Sequence, residues 1–190
     1  MEVKMTIEVT TQTRIFEYQA PQLSRLDEVA ETLRDDALTA VRESLRPTER
    51  ALDLRMLLRR PDFVSRFKHQ LTLDVAQLLA AHDETVREVH VYDPAMIQES
   101  EISEEVLPDP AMSLIVVAAA PSAGLEAFAR ALDRALTASL KQLPSSWAAG
   151  RDSLLDVAVV TEKDVAQGVG LARLLAAVYT PPMKIWQRGT

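Results

Sequence analysis

Three histidines, His69, His82 and His90, are the side chains of this 190-residue chain best suited to hold a metal or move a proton near neutral pH. Their spacing does not suit a shared ion. His69 and His82 stand thirteen apart, outside the i, i+4 step that puts two imidazoles on one turn of a helix. His90 alternates with Val89 and Val91, so it reads as a hydrogen-bonded histidine of a core strand. The run "ESEISEE" supplies Glu99, Glu101, Glu104 and Glu105, oxygen donors for calcium or magnesium, but lacks the glycine that turns an EF-hand loop. It reads as a solvated connection. Ser100, Ser103, Ser145 and Ser146 have no nucleophile-elbow context, so hydrolase chemistry finds no support. "QGVGLARLL" places Gly168 and Gly170 at the head of a helical stretch, where an anion could sit. The third glycine of a dinucleotide loop is missing, which favours a turn or close packing.

Charge narrows the classes further. Formal net charge is −7, which repels a free polyanion and makes nucleic acid an unfavourable partner. The local exception is "RMLLRRPDFVSRFKH", where Arg55, Arg59, Arg60, Arg66 and Lys68 form a candidate patch for phosphate or nucleic acid; the competing reading is the solvated face of a helix. The absence of cysteine removes disulfides, thiolate metal sites and cysteine nucleophiles, and its natural reading is a reducing cytoplasm. No apolar run approaches the ~20 residues of a membrane span, so no membrane association is expected.

The elements that position these residues follow from periodicity. Val3, Met5, Ile7 and Val9 alternate with polar neighbours, and "RIFEYQ" follows, which predicts an N-terminal β-hairpin. From Ser24 to about Arg46 an apolar stripe of Leu26, Val29, Ala30, Leu33, Ala37, Val41 and Leu45 predicts a helix, with Ser24 and Asp27 in a capping arrangement. A second helix is expected from Thr48 to Arg60. A third follows Pro61, capped by Asp62 and burying Phe63, Phe67, Leu71, Val75, Leu78 and Leu79. Beyond it, "VREVHVY", "MSLIVVAAA" and "LLDVAVV" read as core strands. The second is followed by an amphipathic helix with Leu125, Phe128, Leu132, Leu136 and Leu140 inward. A helical stretch ending "LARLLAAV" comes next, and after two prolines Ile185 and Trp186 dock as an edge strand. The fold class is α/β (α+β): a small mixed sheet with flanking helices. Residues 1–69 form a hairpin and helical extension, and 70–190 the α/β domain.

This order resembles the minimal nucleotidyltransferase fold of the DNA polymerase β superfamily. "LTLDVAQLLAAHDETVREVHVYDPAMIQ" resembles its entering helix and first strand, and "MSLIVVAAAPSAGLEAFARALDRAL" its second strand and helix. "LLDVAVVTEKDV" resembles the third strand, and "KIWQR" the short terminal strand of small members. The resemblance is one of layout over about residues 70–190. It implies a Gly-Ser loop and several carboxylates converging on two metal ions that hold a triphosphate. Here Tyr92-Asp93-Pro94 occupies the Gly-Ser position, and "MSLIVV" carries no acid where two belong. Asp156 alone falls at the third carboxylate, and Asp109 lies between two prolines just before the second strand.

The sequence therefore reads as a nucleotidyltransferase-like pseudoenzyme that acts through binding or assembly. It is expected to need no cofactor and to associate with itself or with a protein partner, the hairpin edge serving as a homodimer surface. The alternative is a divergent metal-dependent nucleotidyltransferase that transfers a nucleotidyl group from a nucleoside triphosphate. In that case Asp93, Asp109 and Asp156 would gather around magnesium.

Overall fold

Helix packing sets the frame of this computed structural model, which describes residues 25–92 and 107–189. The expected N-terminal hairpin, the Ser24 cap, Asp93 and the acidic run 99–105 lie outside the described residues. Helix α1 (Leu26–Ser44) buries Leu26, Ala30, Leu33, Ala37 and Val41 of the stripe its periodicity predicts, with Val29 only partly covered. Ala30 and Ala37 are small enough to let it approach both neighbours closely, α4 (Pro61–His82) and α5 (Ala123–Lys141). Arg34 fastens the α1–α5 contact by donating to the Ser139 carbonyl (3.1 Å) near the C-terminus of α5. There the free carbonyls carry partial negative charge.

The single helix expected over 48–60 is broken. Two short turns stand in its place, α2 (Pro47–Arg50) and α3 (Leu54–Leu57). Arg42 donates to the carbonyls of Arg50 and Leu52, both at 3.0 Å, which satisfies backbone that a continuous helix would have paired internally. The break lets Leu57 and Leu58 reach full burial. Asp62 does not cap α4. Arg60 holds the N-cap position, Pro61 follows it, and the Asp62 carboxylate takes two bonds from the Arg60 guanidinium instead.

Strands β1 (Val86–Val91), β2 (Met112–Ala118), β3 (Leu155–Thr161) and β4 (Met183–Gln187) form one mixed sheet in the order β3-β2-β1-β4. β1 runs antiparallel to both β2 and β4, while β2 and β3 are parallel. The molecule is thus α+β, with a small mixed sheet flanked by helices. One face carries Val89, Val91, Leu114 and Val116 into the main core, together with the buried residues of α1, α4 and α5. That core runs without interruption from Leu26 to Leu155, and α4 passes straight through position 69/70, so the described helices before that point share the sheet's packing. The opposite face is covered by a smaller cluster of Ile115, Val117, Val160 and Ala172, with Leu174 and Leu175 against it. Burial on both faces explains the unbroken apolar run of β2.

Two expectations change at the C-terminal side. Among the described residues β3 is an edge strand, with Asp156 exposed and Val157, Ala158 and Val159 only partly covered, in place of the core strand expected. The helical stretch after it splits into α6 (Glu162–Gln167) and a 3-10 helix (Gly170–Ala176). Gly168 ends α6 at φ +61, a left-handed conformation that side chains with a Cβ disfavour. Strand β4 docks as predicted. Arg188 just beyond it donates to the carbonyls of Ala80 (2.7 Å), Val86 (2.9 Å) and Asp83 (3.3 Å), which ties the chain end to the C-terminus of α4.

Candidate functional site

Strand register brings three polar side chains into one row on the face away from α4 and α5. Asp156 is the Cα partner of Ser113 across the parallel β2–β3 ladder. The Tyr92 amide donates to the Ser113 carbonyl at 2.9 Å. The row therefore reads Asp156, Ser113, Tyr92 across three adjacent strands. Its carboxylate is Asp156, exposed at the sheet edge. Ser113 is half-buried and Tyr92 is exposed.

Asp109 has other partners. Its carboxylate meets Arg151 at 2.8 Å and accepts from the Ala111 amide at 2.9 Å, while its main-chain carbonyl receives Lys68 Nζ at 2.7 Å. Next to it, the Trp147 indole donates to the Pro108 carbonyl at 2.7 Å. These bonds anchor the approach to β2. Among the described residues, no three His, Asp or Glu side chains are grouped so as to hold a metal ion.

The basic stretch is divided by burial. Arg55, Arg59 and Arg66 are exposed. Arg60 pairs with Glu49 and Asp62, each at 2.8 Å, and these bonds raise its already high pKa and hold both carboxyls below their ordinary range. Lys68 is 2% exposed and serves the Asp109 carbonyl from inside the fold, so a surface patch does not include it. The five residues do not make one continuous cationic surface.

The histidines are also separated. His82 stacks on Phe128 with ring centroids 3.7 Å apart, and burial holds its pKa below the ordinary value. His90, buried on β1, shares Glu88 with Lys184: Nε2 lies 2.8 Å from Oε2, and Lys184 Nζ 2.8 Å from Oε1. The Lys184 bond is the main cause of the lowered Glu88 pKa. His69 is exposed on α4. Gly168 and Gly170 both take positive φ and have open space where a Cβ would stand, so they are turn glycines and not close-packing ones. Trp186 packs against the main core with Arg188 5.4 Å from its ring centroid, whereas Tyr179 is 96% exposed.

An open groove of about 610 Å³, to which no periodicity of the sequence points, runs along the outer edge of β3. Glu126, Arg130 and Asp133 of α5 form one wall, and Asp164, Val169 and Leu171 the other, with Asp156 on the strand between them. Asp133 Oδ1 accepts from the Leu154 and Leu155 amides at 2.9 and 2.8 Å. Asp164 Oδ2 accepts from the Thr161 amide at 2.8 Å and its hydroxyl at 2.7 Å, a capping box for α6. The pattern Thr161-Glu162-Lys163-Asp164 announces that cap in the sequence. No local pattern announces the role of Asp133, whose two main-chain partners lie 21 and 22 residues away. Comparison with protein-family models, with curated proteins and with solved structures returns no match to this chain.

Proposed function

We propose that this chain is a non-catalytic, nucleotidyltransferase-like protein that acts by binding or assembly. The observation that carries the reading is the polar row Asp156–Ser113–Tyr92, which holds a single carboxylate; the other acid on these strands, Glu88, is engaged by Lys184 and His90. In-line nucleotidyl transfer needs charge from two metal ions on the attacking and leaving oxygens, and one carboxylate does not hold two such ions. The engagement of Asp109 by Arg151 supports the same conclusion, because a carboxylate already neutralised by a guanidinium is a poor ligand for magnesium.

The test is thermal unfolding with magnesium and each of the four ribonucleoside triphosphates. No change in Tm is expected with any of them. A nucleotide held at a hundred times its Kd would add about 2.7 kcal/mol of stability. A magnesium-dependent rise in Tm that Asp156→Asn abolishes would establish the enzymatic alternative and end this reading.

A further inference from the structure

We infer that the outer edge of β3 is a docking site for an extended peptide segment of a partner protein, with Lys or Arg on both sides of a short apolar stretch. The inference rests on the binding reading above and names the chemistry of the partner.

Ladder parity defines the edge. The Met112 amide donates to the Leu154 carbonyl at 2.7 Å. In a parallel pair, alternate residues turn their N–H and C=O groups towards the neighbour. Residues 156, 158 and 160 thus face β2, and 155, 157, 159 and 161 face outward. The outward amides at the two ends are occupied, Leu155 by Asp133 and Thr161 by Asp164. Val157 and Val159 between them present their N–H and C=O groups to the groove, and among the described residues nothing pairs with this edge. Unpaired edges are commonly guarded by lysine, proline or inward charge. Strand β4 at the other edge follows Pro181 and Pro182 and carries Lys184, whereas "LDVAVVT" has neither lysine nor proline. An added strand would gain main-chain bonds in this window, the β-augmentation mode of peptide recognition.

Charge selects the occupant. Glu126, Asp133, Asp156 and Asp164 surround the window against the single guanidinium of Arg130, which itself lies 3.7 Å from Glu126. A second copy is disfavoured by its own register. Antiparallel pairing about Ala158 sets Leu155 opposite Thr161 of the other copy, and so brings the Asp133 carboxylate of one against the Asp164 carboxylate of the other. A segment with basic residues flanking an apolar centre meets carboxylates at both ends, and its centre faces Val169 and Leu171, each 52% exposed on the groove rim.

The experiment uses the whole chain and a fluorescein-labelled peptide, Lys-Lys-Val-Thr-Val-Lys-Lys, followed by anisotropy. Three comparisons accompany it: the same peptide N-methylated on its three central amides, a peptide with Glu in place of every Lys, and the protein variant E126Q/D156N, whose changed side chains hold no backbone. Saturable binding is expected, weakened at least about tenfold by N-methylation and by the acidic exchange, and weakened severalfold by the double variant. Equal binding of the N-methylated peptide would overturn the edge as the site. Equal binding of the acidic peptide would overturn the charge selection, and so would an unaffected double variant. Absence of saturable binding at millimolar peptide would overturn the proposal outright. A dimer in light scattering that Val159→Pro dissolves would make a second copy the occupant and also overturn it. The nucleotide experiment reads the parent proposal separately: no peptide binding with no nucleotide shift removes the docking site and leaves the non-catalytic reading standing.

Discussion

Asp74 is a carboxylate the fold stabilises poorly, and replacing it should strengthen the protein in a pH-dependent way. It lies on α4, only 8% exposed, and its Oδ1 accepts one bond from Gln70 Nε2 at 3.0 Å. Burial pushes its pKa up from the ordinary 3.8 to about 6; the Gln70 bond opposes the rise, and the negative charge of Asp36 on α1 adds to it. Between those two values the folded chain binds more protons than the unfolded one, so stability falls as pH rises from about 4 to 6 and stays lower above that window. The separation corresponds to about 3 kcal/mol at pH 7. Asp74→Asn keeps the volume and the acceptor for Gln70 while removing the charge. In urea titrations the variant should be more stable than wild type by about 2–3 kcal/mol at pH 7, and the gain should shrink below about 1 kcal/mol at pH 4. A variant no more stable than wild type at pH 7, or a gain of equal size at both pH values, would refute the reasoning.

Two further predictions test how the elements are tied together. Arg188→Ala removes three bonds to the carbonyls of Ala80, Asp83 and Val86, and should cost about 2 kcal/mol in urea unfolding, with faster amide exchange in β4. His82 is held neutral by burial against Phe128, so the unfolded chain gains protons first on acidification, and stability is lost as pH falls through the ordinary histidine value of 6.5. His82→Phe should flatten the slope of stability against pH between 7 and 5; an unchanged slope would show that His82 is not its source.

The unequal faces of the sheet bear on where binding can occur. Among the described residues, three long helices cover one face, and the 3-10 helix with its small apolar cluster covers the other. Accessible polar groups therefore collect at the row Asp156–Ser113–Tyr92 and along the β3 edge. Both α5 and α6 contribute a carboxylate to that edge, through Asp133 and Asp164, and among the described residues nothing pairs with its middle.

Local periodicity by itself determined most elements and their inward faces. The stripes of α1, α4 and α5 are buried as predicted, because a 3.6-residue repeat of large apolar side chains has one stable way to face a core. The continuous run "MSLIVV" announced a strand covered on both sides. Sequence did not decide which strand lies at the edge, since "LLDVAVV" is as apolar as its neighbour and edge position depends on what packs alongside. Nor did it show that Arg42 would hold open the break between α2 and α3, or that Lys68 would turn inward to the Asp109 carbonyl. Only the tertiary structure decided these points, and likewise the groove whose walls come from α5 and the segment after β3. The physical reason is the same in each case: a side chain's own type sets its preference for water or core, but the partner that satisfies its hydrogen bonds is supplied by residues far along the chain.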